Sequence, residues 1–262
     1  MGHVFTHDIW YGPAGQPRTL HVYLPDGHDS SPERYPVMYF FDGHNLFFDH
    51  RATYGKSWGL KDYLDRWDKR LIVVGMECSH EGHARLDEYC PYRGRRFGHE
   101  IGGLGEETFR WILDDVKPWA DATLRTWAHR EATGIGGSSM GGLMSLYGVI
   151  AHNDAFSKAA CLSTGIRLWG SELRAELRGA SIDPDTRVYL SWGEHEAGRV
   201  RAGADGATGS PEAKAEIDYT ERLERAGADV YRYLQPEGRH CEACWEQQNG
   251  HYLDYLWRDR RW

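Results

Sequence analysis

The chain has 262 residues, with 31 Lys and Arg against 39 Asp and Glu, giving a formal net charge of -8. That length suits one α/β sheet domain spanning residues 1–262, and the acidic balance argues against a nucleic-acid partner, which would need a basic patch or stripe. No uncharged apolar stretch reaches membrane-spanning length, so no membrane partner is expected either.

The N-terminal ten residues lack a basic region followed by an apolar run, so no signal peptide is expected. Five scattered cysteines make no disulfide framework, and together these features point to a cytoplasmic location. Nothing in the sequence names an oligomeric state.

In chain order, Phe5 to Tyr11 and the alternating Thr19 to Leu24 read as strands with no helix between them, which predicts an antiparallel hairpin at one sheet edge. Val37 to Phe41 is a short apolar run of the kind buried on both faces. Trp58 to Trp67 carries Leu60, Tyr63, Leu64 and Trp67 at helical spacing, and Leu71 to Gly75 is the clearest buried strand. The pattern then breaks from Met76 to Glu106, a stretch rich in Gly, His and Arg and too long for an ordinary connector.

Regular spacing returns in a helix over Glu107 to Ala120, a strand over Ala132 to Ile135 and an apolar helix over Leu143 to Ile150. Lys158 to Leu162 and Val188 to Trp192 read as strands. Pro211 to Ala226 is a helix opened by proline and closed by Gly227, Val230 to Leu234 the last strand, and Glu242 to Trp257 the last helix. Strands alternating with helices predict an α/β class: a mostly parallel central sheet flanked by helices, with antiparallel N-terminal edge strands. The interval from Leu162 to Arg187 is too short for a separate cap domain.

The strongest chemical signal is Gly137-Ser138-Ser139-Met140-Gly141, a G-x-S-x-G frame between an apolar strand and an apolar helix. A serine on such a tight turn needs small neighbours two positions away, and it sits where a helix N-terminus favours negative charge. On the motif alone a glycine-rich turn is an equal reading, and its placement favours Ser139 as nucleophile. An acidic turn, Gly193-Glu194-His195-Glu196, follows a later strand, and a loop histidine, His240, follows the last one. Serine, acid, histidine is the chain order of a hydrolase triad, in which the imidazole takes the serine proton and the carboxylate fixes the imidazole. On residue type alone, Glu194 and Glu196 are both candidates for the acid. Backbone N–H groups of Met140 and of His44, in the loop after the third strand, are the candidate oxyanion-hole donors.

The pieces FDGHNLF, LIVVG, GSSMGG, the W-G-x-x-E turn and H-x-x-x-x-W resemble the esterase D / enterochelin-esterase-like group of serine esterases, over Val37 to Trp257. That group includes feruloyl and acetyl esterases, siderophore esterases and S-formylglutathione hydrolase. Its enterochelin-esterase-like members carry H-D-G-Q-N-L-F in the first loop, where this chain has Phe41 for the histidine and His44 for the glutamine. The resemblance implies the α/β-hydrolase fold and hydrolysis of a small-molecule ester through an acyl-enzyme, with no metal and no organic cofactor. It also implies Glu196 as the acid, three residues after Gly193.

Substrate-binding candidates are Asn45, Trp58 and Arg93, the last from a cluster of cations and aromatics in the irregular stretch. Acetyl, hydroxycinnamoyl and siderophore-type esters all fit. An acyltransferase using the same residues and an inactive binding homologue are the alternatives. Cys241-x-x-Cys244 has no second C-x-x-C to complete a metal site and reads as two ordinary thiols, and His3, His7 and His21 read as solvated strand faces.

Overall fold

Two strands joined by a single 3-10 turn at Gly12–Ala14 fold directly back on each other. In the computed structural model, which describes residues 1–196 and 211–259, β1 (His3–Tyr11) and β2 (Gln16–Leu24) form an antiparallel hairpin pairing His3 with Leu24. The buried runs follow as β3 (Val37–Phe41), α1 (Leu60–Leu64) and β4 (Ile72–Met76). The irregular stretch holds a short helix α2 (Ala84–Glu88) and a small hairpin of β5 (Gly94–Arg96) and β6 (His99–Ile101). Next comes α3 (Gly105–Trp111), which runs through a π-helical turn at Ile112–Val116 into α4 (Lys117–Thr123). Pro118, which has no N–H to give to the preceding turn, sits just past that widened turn.

The second half alternates regularly: β7 (Thr133–Ser138), α5 (Met140–Ala151), β8 (Lys158–Leu162), α6 (Ile166–Gly179) and β9 (Arg187–Gly193). It closes with α7 (Pro211–Arg225), β10 (Asp229–Gln235), α8 (Glu242–Glu246) and α9 (Asn249–Leu256). The main sheet has the order β1-β2-β4-β3-β7-β8-β9-β10, parallel from β4 to β10 and antiparallel at the β1-β2-β4 edge. The mostly parallel sheet, its helical flanks and its antiparallel edge agree with the sequence reading.

Successive strand residues point to opposite faces, so each central strand feeds two cores. Tyr39 and Phe41 of β3 join Phe109, Leu143 and Leu146 on one face, while Met38 and Phe40 join Trp58, Tyr252, Leu253 and Trp257 on the other. Because β3, β4, β7, β8, β9 and β10 run the same way, their carboxyl ends share one edge of the sheet. The loops leaving that edge carry His44, Cys78, Ser139, Ser163, Glu196 and His240, which is where open α/β sheets gather ligands.

Four readings change. The helix expected over Trp58 to Trp67 is confined to α1, because Gly59 before it is left-handed at φ 56°. The last helix is broken in two around Gln247 and Gln248. The helix α6 has no counterpart in the sequence reading. His21 is buried rather than solvated, with Nε2 2.6 Å from Glu77 Oε1.

Candidate active site

Ser139 joins β7 to α5 with φ 56° and ψ -119°, a backbone state that costs a non-glycine residue about 1–3 kcal/mol. The flanking glycines explain how the turn closes. A Cβ on Gly137 would lie 2.7 Å from the carbonyl carbon of Gly141, and one on Gly141 would lie 2.9 Å from Phe41 Cβ. Side chains at either position would force strand and helix apart. The Ser139 N–H donates to Leu162 O at 2.9 Å, tying the turn to β8, and Ser139 O accepts from Leu143 N–H at 3.0 Å.

Of the two carboxylates after β9, Glu196 meets the histidine. His240 Nδ1 lies 3.0 Å from Glu196 Oε2 and donates to it. The other oxygen, Oε1, accepts from Ser163 Oγ at 2.6 Å and from the Gly193 N–H at 2.7 Å. Ser163 Oγ in turn accepts from Trp245 Nε1 at 2.7 Å, and the His240 ring stands edge-on to Trp245 with centroids 5.2 Å apart. Three donors thus hold one buried-edge carboxylate and its orientation.

Glu194 is engaged elsewhere: its Oε2 accepts the Glu237 N–H at 3.0 Å. The same two loops are joined by Glu194 N–H to Gln235 O at 3.0 Å and His195 N–H to Gly238 O at 2.8 Å. Gly193 and Gly238 pass so closely that a Cβ on Gly193 would sit 2.5 Å from the Gly238 carbonyl carbon.

The turn after β3 forms the opposite wall. Asp42 is left-handed at φ 57°, and Gly43 presses on β4, where a Cβ would lie 2.3 Å from the Gly75 carbonyl. Asp42 receives a two-pronged bond from Arg85, Nε to Oδ1 and Nη2 to Oδ2, each 2.7 Å. Burial alone would raise the Asp42 carboxyl, but the guanidinium beside it holds it below the ordinary carboxylate value. Within the turn, Asn45 N–H donates to Asp42 O at 2.9 Å and Leu46 N–H to Gly43 O at 3.3 Å, leaving the His44 amide outside that pattern. The Met140 amide opens α5, where first-turn donors have no intrahelical acceptor. A cleft of about 610 Å³ is bounded by these walls, lined by Ser139, His240, His44, Asn45, Arg85 and Trp245 among others.

Two binding candidates fall outside it. Trp58 is core: it is 2% exposed, packed edge-on to Phe40 and beside Trp245, and its carbonyl accepts from Asn249 Nδ2 at 2.7 Å. Arg93 is exposed and does not line the cleft. Of its cationic neighbours, Arg96 lies over the Trp169 ring and Arg95 faces Glu100 across the small hairpin. Asn45 does line the cleft, with Oδ1 held by the Thr53 N–H at 2.9 Å. Ser163, bonded to both Glu196 and Trp245, escapes the sequence reading, whereas Arg85 falls within its cation- and aromatic-rich stretch and Trp245 closes the H-x-x-x-x-W piece. Ser163 carried a usable signal, because it follows a buried parallel strand at the same sheet edge as Ser139.

Among the described residues, two groups have the composition of a metal site: His44 with Cys78 and His80, and Glu194 with His195 and Glu237. Cys241 and Cys244 are free thiols, and Cys244 Sγ accepts the Arg239 N–H at 3.2 Å.

A family profile described as Esterase matches residues 13–248. Esterase Rv1288 of Mycobacterium tuberculosis is 27% identical over 141 residues, 54% of this chain and 28% of that protein. The uncharacterized protein YbbA of Bacillus subtilis is 24% identical over 183 residues, 68% of this chain and 69% of that protein. Among solved structures, an IroE-like serine hydrolase from Shewanella oneidensis superposes with a TM-score of 0.73 at 17% identity, over 97% of this chain and 79% of that one. The siderophore hydrolase EstA from Aspergillus nidulans gives 0.72 at 18% identity, over 97% and 94%. The sheet order, the family match and these superpositions make this an α/β-hydrolase fold, and the chain belongs to the esterase family as a carboxylic-ester hydrolase.

Proposed function

We propose that the chain hydrolyses a small ester through a covalent intermediate on Ser139. The observation that carries this reading is the Glu196–His240 contact of 3.0 Å, set in the same cleft as a serine held at φ 56°. Ser139 Oγ attacks the ester carbonyl while His240 Nε2 takes its proton. Glu196 keeps the remaining proton on Nδ1 and balances the imidazolium. The oxyanion lies between the amides of Met140 and His44, where fixed dipoles need no reorganisation. His240 then returns the proton to the leaving alcohol, and a water activated by the same imidazole releases the acid and frees the serine.

Support for a ring-bearing acyl group comes from the volume of the cleft and its border of Trp245, His44 and Arg85. Structural relatives include a ferulic acid esterase and a siderophore hydrolase. Hydroxycinnamoyl and catecholate esters therefore head the panel, with acetyl esters as the minimal substrate. The test is turnover of p-nitrophenyl acetate together with mass-spectrometric mapping of an organophosphate label. Ser139→Ala is expected to lose at least about 10⁴-fold in kcat and all labelling. Full activity in that variant, or a label on Ser138, would refute the assignment. Product analysis with added alcohol separates hydrolysis from acyl transfer.

A further inference from the structure

The loops leaving β3 and β4 bring together three side chains that the ester reaction does not use. His44, Cys78 and His80 offer ligand atoms that all lie within 4.8 Å of one another. The arrangement is already half built. His44 is 6% exposed, and its Nε2 is occupied by Thr53 Oγ1 at 2.9 Å. Its Nδ1 is buried and has no partner among the described residues. A buried ring nitrogen normally finds a hydrogen-bond partner, so this atom calls for one. Cys78 is 2% exposed, and the His44 and His80 rings meet edge-on with centroids 4.7 Å apart.

We propose that His44 Nδ1, Cys78 Sγ and His80 bind a thiophilic divalent cation of the zinc class, which ties the turn after β3 to the loop after β4. One sulfur and two imidazoles select zinc or cobalt over magnesium or calcium, which take oxygen ligands. Tetrahedral zinc holds nitrogen at about 2.0 Å and sulfur at about 2.3 Å, so its ligand atoms stand roughly 3.5 Å apart. The observed spacing closes to that value by a small swing of His80, whose side chain is 57% exposed. Thr53 fixes the His44 ring, and Glu77 Oε2 lies 3.8 Å from His80 Nε2, as outer groups commonly orient metal ligands. On binding, the Cys78 S–H, which donates to the Asp42 carboxylate, gives up that bond, its proton leaves to solvent and the sulfur bonds the metal as thiolate; no oxidant or reductant is involved. The fourth position faces the cleft, which all three residues line.

The second group is a weaker contender because, unlike His44 Nδ1, none of its ligand atoms is buried without a partner. His195 Nε2 lies 2.8 Å from Glu237 Oε2, and Glu194 Oε2 accepts a backbone N–H.

The test titrates metal-free protein with Co(II) and reads the thiolate-to-cobalt charge-transfer absorption, with the thermal midpoint followed in parallel under Zn(II). Wild type is expected to bind one Co(II) with that absorption and to gain thermal stability with Zn(II). Cys78→Ser should lose both signals. His80→Ala, a change at an exposed side chain, should keep the fold and bind at least ten times more weakly. A Cys241→Ser/Cys244→Ser protein should bind as wild type. Ser139→Ala should also bind as wild type, which separates this site from the esterase reading. No absorption in wild type, absorption that survives Cys78→Ser, or absorption lost with Cys241 and Cys244 would each overturn the proposal.

Discussion

Glu196→Gln isolates the contribution of the proposed triad acid while leaving the size of the side chain unchanged. The carboxylate has three donors, from Ser163 and Gly193 at Oε1 and from His240 at Oε2. A glutamine keeps one carbonyl oxygen, and the two donors at 2.6 and 2.7 Å will claim it. Its NH₂ then faces His240 Nδ1, which must become an acceptor. The ring proton is driven to Nε2, the atom that has to accept from Ser139, so the base is blocked and the charge balance of the imidazolium is lost as well. Loss of the correct tautomer in such sites costs about 10³–10⁴ in kcat, or about 4–5.5 kcal/mol at 1.36 kcal/mol per tenfold. Glu194→Gln should fall by less than about threefold, because a glutamine oxygen still accepts the Glu237 N–H. The assay is kcat on p-nitrophenyl acetate for both variants, with circular dichroism to establish that each is folded. Equal small losses, or a larger loss at Glu194, would refute the reasoning.

Other consequences can be checked separately. Ser139→Gly removes the proposed nucleophile and also the left-handed strain at φ 56°, so the protein should be inactive yet more stable by about 1–2 kcal/mol, read as a higher Tm. Ser163→Ala takes away a donor to Glu196 and the acceptor for Trp245 Nε1, and kcat should drop about tenfold with KM little changed. Asp42→Asn leaves Arg85 without its counter-charge and should cost about 2–3 kcal/mol by denaturant unfolding. Since the folded Asp42 carboxyl sits below its ordinary value, its contribution is complete above about pH 4 and disappears as pH falls through the folded value. The Asn variant should therefore lose less stability than wild type on acidification through that range.

The central sheet was legible because its strands are buried on both faces and so read as largely apolar runs: Val37–Phe41, and Lys158–Leu162 behind its leading lysine, appear with the ends read from sequence. The tight turn at Ser139 was legible because two glycines are sterically required around it. The helix Ile166–Gly179 was hidden because Trp169 breaks its regularity with a non-helical φ of -129°, and Gly170 follows at once. A large aromatic such as Trp58 suits a pocket as well as a core, and only packing against Phe40 and Trp245 assigns it to the core. Arg93 belongs to a run rich in cations, yet a run has no direction, and the chain turns that part of it outward. The choice between Glu194 and Glu196 likewise rests on partners from a distant loop, at Glu237 and His240.

The stitching between the β9 and β10 loops has a dynamic consequence. Backbone bonds from Glu194 and His195, the bond from Glu237 back to Glu194, and the glycine-on-glycine contact of Gly193 with Gly238 leave these loops little freedom to slide past each other. Glu196 and His240 therefore ride on a common platform, whereas Ser139 is anchored to α5 and β8. Thermal opening should disturb the spacing between platform and serine before it disturbs the spacing within the platform. Hydrogen exchange would register this as a single cooperative unit, in which the amides of Glu194, His195 and Glu237 exchange at one shared opening free energy.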